Sequence, residues 1–315
     1  MLNAALKNIN VSFAGPVFII VAALLWAFDG LIRQHLYSLP PITIIFFEHL
    51  IGLIILFPFV YKKVFNPGFG KREYWLLLLI AVLSGLLGTL WFTTALGKVG
   101  FISLSVVFLL QKLQPIFAIT TASIFLKEKF ERGYIPWALL AVVSAYFVTF
   151  ANGVVNLDTG ESTAVAALYA LGAAFAWGSS TTFSKMLLGK VEAQVSTFYR
   201  FLFTVPIALL VLYVFGYGES LAAPTGSQFG WLALIAVSTG MVALLIYYKG
   251  LKKTPVHIST ILELTFPFVA IVLDMVVNDK YLVLSQWVAA VALVWSIYKI
   301  ASLRANLGEN LVSSI

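Results

Sequence analysis

The chain of 315 residues is 61% apolar, 15% aromatic and only 10% charged; it carries a formal net charge of +7 and no cysteine. Soluble domains carry about 25% charged residues, so a mean hydropathy of +0.98 excludes a soluble enzyme, and the wealth of aromatics excludes a disordered chain. The missing cysteine removes a disulfide framework, thiolate zinc sites and a cysteine nucleophile from consideration.

What remains is a chain whose solvent is mostly lipid. About 20 apolar residues carry a helix across the hydrocarbon core. Ten such runs follow one another: Phe13–Ile32, Pro41–Tyr61, Tyr74–Leu96, Phe101–Leu126, Tyr134–Ala151, Thr163–Leu187, Ala193–Phe215, Phe229–Gly250, Pro255–Val277 and Leu282–Ala301. None alternates polar and apolar residues, which excludes membrane strands. Turn chemistry separates them, as in Pro40-Pro41, Asn66-Pro67-Gly68, Asn152-Gly153 and Pro224-Thr225-Gly226. The first run is too long for the apolar core of a signal peptide and lacks a small-x-small cleavage site, so it is expected to stay as a helix.

Lys and Arg set the orientation, because cytoplasmic segments hold the excess of both. With the N-terminus inside, the inner segments hold 15 of the 20, including Lys62, Lys63, Lys71, Arg72, Lys127, Lys129, Lys252 and Lys253. The outer segments hold Arg33, Lys98 and Lys280, and Lys112 and Arg200 lie within runs. Both termini are therefore expected in the cytoplasm, in the plasma membrane of the cell. The positive charge is a topology signal, and no nucleic-acid partner is expected.

Residues 1–151 and 163–301 read as two copies of one five-helix unit, followed by a cytoplasmic tail at 302–315. Ala-Leu-Leu-Trp26 answers to Ala-Phe-Ala-Trp177, and Phe-Phe-Glu48-His49 to Phe-Tyr199-Arg200-Phe. Leu-Ile-Ala-Val-Leu-Ser-Gly85 answers to Leu-Ile-Ala-Val-Ser-Thr-Gly240, and Leu-Gln114-Pro115 to Thr-Phe-Pro267. Lys-Glu128-Lys answers to Asn-Asp279-Lys, and Trp137 to Trp287. Five is odd, so tandem copies lie upside down relative to each other. Charges agree: the loop after the second run holds four Lys/Arg, and its counterpart after the seventh holds none. The predicted fold class is an all-α membrane protein of ten transmembrane helices in two inverted-topology five-helix repeats. That is an architecture of secondary transporters, with the solute site near midplane between the repeats.

The paired Trp residues, Tyr199-Arg200-Phe201, the Pro-Phe patches of runs four and nine, and the acidic residues Glu128 and Asp279 together resemble the EamA family of the drug/metabolite transporter superfamily. The resemblance covers nearly the whole chain. It implies a cavity walled by helices 1–4 and 6–9, with 5 and 10 peripheral, and a metabolite, amino acid or drug as cargo, often moved outward. The second run departs from the family, with Glu48-His49 where a basic residue is frequent.

Ionisable residues inside a membrane span are costly and mark function by default. Glu48 and His49, Arg200, Lys112 and Glu263 lie deep in their runs and are expected to face a wet cavity or one another. Fixed ion pairs, Glu263 with Lys112 or Glu48 with Arg200, are the structural alternative. Asp29 and Asp274 stand near outer ends and are expected to reach headgroups or water, while Lys98, Lys185 and Lys249 snorkel. His257, opening the ninth run, reads as interfacial.

Pro115 and Pro267 interrupt matching helices. Each removes a donor and leaves a carbonyl, of Gln111 or Glu263, without its helical partner. Broken helices at corresponding places point to a transporter site, to which Gln114 adds an amide. Trp26, Trp91, Trp177, Tyr199 and Tyr247 supply aromatic surface that suits a ring or a cationic amine. Ser84-x-x-x-Gly88, Gly172 and Gly178 allow close helix approach.

No phosphate-binding Gly-rich loop, His-Glu-x-x-His pair or Ser-His-Asp set occurs, so neither an enzyme nor a cofactor or metal is expected. The expected function is alternating-access transport of a small amphipathic metabolite, an amino acid first, with protons as a coupling partner through Glu48, His49 or Glu263. A carrier of quaternary amines or cationic drugs is the first alternative, and a membrane-embedded lipid enzyme the second.

Overall fold

A computed structural model describes residues 2–65, 67–98, 111, 113–129, 133–154, 163–266, 269, 273 and 283–312. Every regular element among them is helical. The first half supplies α1 (Leu2–Ala27), α2 (Pro41–Val64), α3 (Lys71–Ile80, continuing through Ala81–Gly88 and Thr89–Lys98), α4 (Gln114–Phe125) and α5 (Tyr134–Thr149). The second half supplies α6 (Thr163–Leu188), α7 (Ala193–Val214), α8 (Gly226–Lys253), α9 (Val256–Leu262) and α10 (Leu284–Val312). The last helix runs well past the expected end of the tenth span.

Local chemistry sets the ends. Pro41 opens α2, where a missing N–H costs nothing. Thr225 and Gln228 exchange hydrogen bonds in a capping box at the start of α8. Asn152 and Gly153, at φ 55° and 72°, end α5 in the left-handed region that favours such residues.

Among the described residues, five helices are long and apolar enough to cross a membrane: Ala14–Arg33, Pro41–Val64, Lys71–Ala95, Ala193–Val214 and Gly226–Lys253. Gln114–Phe125, Tyr134–Val148 and Leu284–Ile300 are shorter apolar helices. Large hydrophobics such as Ile54, Phe59, Leu139, Leu168, Val288 and Val291 stay exposed, as side chains solvated by lipid tails do. α6 is equally long but rich in Ala, Gly, Ser and Thr. Small residues let it approach its neighbours closely where no hydrophobic force drives helices together.

The packing has an exchange symmetry. α2 lies along α7, α4 along α9 and α5 along α10; α1 packs on α8 as α6 packs on α3. Swapping the halves maps this set of pairings onto itself. Close approaches are built on glycine. A Cβ at Gly178 would stand 2.7 Å from the Gln114 carbonyl oxygen and 3.0 Å from the Ala118 nitrogen. Backbone cannot step aside as a side chain does. Gly178→Ala is therefore expected to destabilise the protein by about 2 kcal/mol, although alanine in an open helix gains up to about 1 kcal/mol. The thermal midpoint of the purified protein measures it.

The connection between α4 and α5 folds back onto the other half. Lys127 takes φ 56°, which turns Glu128 towards the start of α9. There the Glu128 carboxylate accepts the backbone N–H of Val256 (2.9 Å) and His257 (3.3 Å) and lies 2.7 Å from His257 Nδ1. Tyr134 donates its hydroxyl to the His257 carbonyl at 2.7 Å. His257, expected at an interface, is 8% exposed. Lys185, expected to snorkel, instead donates to the carbonyls of Leu251, Lys252 and Thr254 at 2.7, 3.0 and 2.9 Å, closing the C-terminal end of α8.

Candidate functional site

α9 stops at Leu262, and Glu263 and Leu264 form a turn before the chain is helical again at Thr265. The turn tightens to three-residue spacing, with Leu264 N–H on Ile261 O and Phe266 N–H on Glu263 O, both at 3.0 Å. The Glu263 carbonyl, expected to lack a partner, is thus satisfied. α4 starts from the matching turn at Leu113, with Pro115 in its first turn. Pro267 and Lys112 lie outside the described residues.

The turn aims the Glu263 carboxylate across the halves. Its Oε1 accepts the Tyr247 hydroxyl at 2.6 Å and its Oε2 accepts Gln114 Nε2 at 3.0 Å. Gln111 Nε2 donates to Gln114 Oε1 at 3.3 Å, and Thr181 Oγ1 stands 3.4 Å from the Tyr247 hydroxyl. Four helices, α4, α6, α8 and α9, therefore meet through one hydrogen-bonded group. Trp26 of α1 adds a ring 5.1 Å from that of Tyr247, tilted by 54°. Its indole N–H goes to Thr239 O at 3.0 Å.

A second polar group lies beside it. Arg33, at the end of the short helix Asp29–Arg33, is 5% exposed. Its Nε meets Asp29 Oδ2 at 2.8 Å, and its Nη2 meets Asp29 Oδ1 and Glu48 Oε2 at 3.1 Å each. Thr239 Oγ1 donates to Asp29 Oδ1 at 2.6 Å. Arg33 was expected in an outer loop, and Glu48 to face a wet cavity, with a pair to Arg200 as the alternative; instead Glu48 pairs with a buried Arg33, and Asp29, its side chain 24% exposed, completes the network. A guanidinium between two carboxylates is what makes burial of these charges tolerable. Arg33 Nη1 is buried without a partner. The spacing of four between Asp29 and Arg33 is the signal that finds this residue on one helix face.

Arg200 donates Nη2 to Ser84 O at 3.1 Å and Nη1 to the Tyr248 hydroxyl at 3.4 Å. His49 is 2% exposed, with Nδ1 at 2.9 Å from Ile45 O and its ring against the edge of Phe201.

The other predicted aromatics make contacts of their own. Tyr199 donates to Val64 O at 2.8 Å, at the end of α2. Trp177 packs on Phe92 and against Gly88. Trp91 lines a cleft of ≈ 380 Å³ with Val165, Leu168, Tyr169 and Gly172; Val165 and Leu168 are exposed, so this cleft opens sideways towards lipid. Among the described residues, no three His, Asp or Glu side chains are grouped to hold a metal ion.

The sequence matches the model of the EamA-like transporter family over residues 3–150 and again over 164–302. It is 36% identical over 295 residues to the riboflavin transporter ImpX of Fusobacterium nucleatum subsp. nucleatum, covering 92% of this chain and 98% of that one. A protein known from a crystal structure superposes with a TM-score of 0.73 over 93% of this chain and 97% of its own; at 16% identity the likeness is one of fold.

Proposed function

The chain belongs to the EamA-like transporter family, and from that premise we propose that it moves a flat heteroaromatic metabolite of the riboflavin type by alternating access. It is an integral membrane protein and a transporter of a small solute, not an enzyme. The architecture we propose is ten spans in two inverted five-helix repeats with both termini in the cytoplasm. The twice-matched family model, the exchange symmetry of the packing and the distribution of Lys and Arg support it.

The observation that carries the substrate class is Glu263. A carboxylate and two glutamine amides, Gln111 and Gln114, stand beside the tilted rings of Trp26 and Tyr247. A flat ring system with an imide edge presents one N–H donor between two carbonyl acceptors. A carboxylate accepts that donor, amide N–H groups meet the carbonyls, and the aromatic faces bury the ring. An ammonium-bearing amino acid uses the carboxylate but leaves the paired amides and rings without a role, and the comparisons lend it no support. Proton coupling through Glu263, Glu48 or His49, and export rather than import, belong to the same proposal.

The test is flux through the purified chain in sealed lipid vesicles, read by riboflavin fluorescence, with amino acids and choline as competitors. Saturable riboflavin flux, driven by an imposed pH gradient and untouched by either competitor, is expected. Amino-acid flux without riboflavin flux overturns the substrate class, and lipid turnover without any flux overturns transport.

A further inference from the structure

In a regular α-helix each carbonyl accepts one N–H from four residues on. A π turn widens the helix by one residue, loosens that pattern and marks functional sites. Two such stretches occur here, Ala81–Gly88 in α3 and Ala236–Val242 in α8. They fall on the two copies of one segment, Ile80-Ala-Val-Leu-Ser84-Gly85 and Ile235-Ala-Val-Ser-Thr239-Gly240.

At the same place in each, a backbone carbonyl accepts a side-chain donor from the opposite half. Arg200 Nη2 reaches Ser84 O at 3.1 Å, and Trp26 Nε1 reaches Thr239 O at 3.0 Å. The side chains differ: the Ser84 hydroxyl donates to the carbonyl four residues back at 3.1 Å, whereas the Thr239 hydroxyl gives its proton to Asp29 Oδ1 at 2.6 Å. The next residue is glycine both times, and it seats the widened turn on the opposite half's second helix. A Cβ at Gly85 would collide with Thr204 on α7, and one at Gly240 would stand 3.2 Å from Glu48 Oε1 on α2. Two chemically unlike donors, an indole and a guanidinium, thus serve one backbone position in two copies. A donor kept for solute contact has no reason to repeat on backbone in this way.

We propose that the two π stretches are the paired flexing points of the transport cycle, and that Trp26 and Arg200 are positioning residues that latch them. Shifting the extra residue of a π turn along its helix re-aims everything beyond it. Each latch holds the opposite half's turn in place, so it sets the rate at which the halves exchange positions.

Amide hydrogen exchange of the whole protein in micelles, followed by peptide mass, tests this without any solute. Trp26→Phe keeps the ring and removes the donor. It is expected to raise exchange at residues 236–242 by about fivefold, the equivalent of one lost hydrogen bond, and to leave 81–88 as they were. Arg200→Met, which removes the donor, is expected to do the reverse, and Arg200→Lys, which keeps one, to restore the parent pattern. Riboflavin flux in vesicles supplies a second readout for Arg200, which stands outside the Glu263 group: in Arg200→Met the maximal rate changes by about fivefold while KM holds within about twofold. Unchanged exchange at both stretches, or a raised KM with the maximal rate intact in Arg200→Met, overturns the proposal. If Arg200→Met does not fold, the exchange pattern of Trp26→Phe decides alone. Failure of riboflavin to move strikes the substrate class and leaves the exchange result standing.

Discussion

Glu263→Gln is expected to abolish solute flux, to below about 1% of the parent rate, while the protein keeps its fold. The two side chains have one shape. In the parent both carboxylate oxygens accept, one from Tyr247 and one from Gln114. An amide offers one acceptor and one donor. The Tyr247 hydroxyl turns to accept from the new N–H, so the folded state loses about 1 kcal/mol at most. The negative charge has no such substitute. In the proposed cycle it meets a solute donor or an incoming proton at the break of α9, and hydrogen bonds to a charged group are about twice as strong as neutral ones. A loss of one hundredfold corresponds to about 2.7 kcal/mol of barrier, within what one charge-assisted bond supplies. Tyr247→Phe removes one of two donors and keeps the charge, so its flux falls by only about tenfold. Vesicle flux measures both, and an unshifted thermal midpoint with a single peak on gel filtration shows that folding is retained. Near-normal flux in Glu263→Gln makes Glu263 a structural carboxylate.

Much of this arrangement is legible in the sequence, for identifiable reasons. Apolar runs of about 20 residues report helices because the bilayer has one thickness. The repeat is legible because Trp26 and Trp177, or Gly85 and Gly240, fill equivalent places in two copies of one packing problem. Of the predicted site residues, the structure draws Glu263, Gln114, Gln111, Tyr247 and Trp26 together, since polar side chains next to a helix break in lipid have few other partners. Arg33 stayed hidden because it sits at the end of an apolar run, where loop and helix cationic residues look alike, and its partner Glu48 is on another helix. Trp91 and Tyr199 share the composition of a binding aromatic but take up a side cleft and the end of α2, because depth along a helix does not say which face a side chain takes. The π stretches leave no mark in hydropathy. One extra residue per turn changes register without changing composition.

Glu128→Ala is expected to cost about 2 kcal/mol of stability and to cut flux by about tenfold, from a position far from Glu263. The first turn of any helix has N–H groups without helical partners. At the start of α9 the Glu128 carboxylate takes two of them, from Val256 and His257, and reaches His257 Nδ1 as well. A charge at a helix N-terminus also opposes the helix dipole. Burial pushes the Glu128 pKa up, but the hydrogen bonds from the His257 ring and from the two backbone amides outweigh it, and the group is held below its ordinary value. A lowered carboxylate pKa contributes stability at neutral pH, which is lost as the pH falls through the folded value. The cap therefore holds across the physiological range and fails only in acid below the usual carboxylate range. Removing it frees the start of the helix that leads into Glu263, and because Glu128 belongs to the other half, it also removes one tie between the halves. Glu128→Gln keeps one acceptor and loses the charge, so it is expected to fall between parent and alanine in both thermal midpoint and flux. Parent-like flux in Glu128→Ala, with only the midpoint lowered, makes the contact a staple of the fold; a parallel fall in both ties the N-terminal end of α9 to the movement of solute.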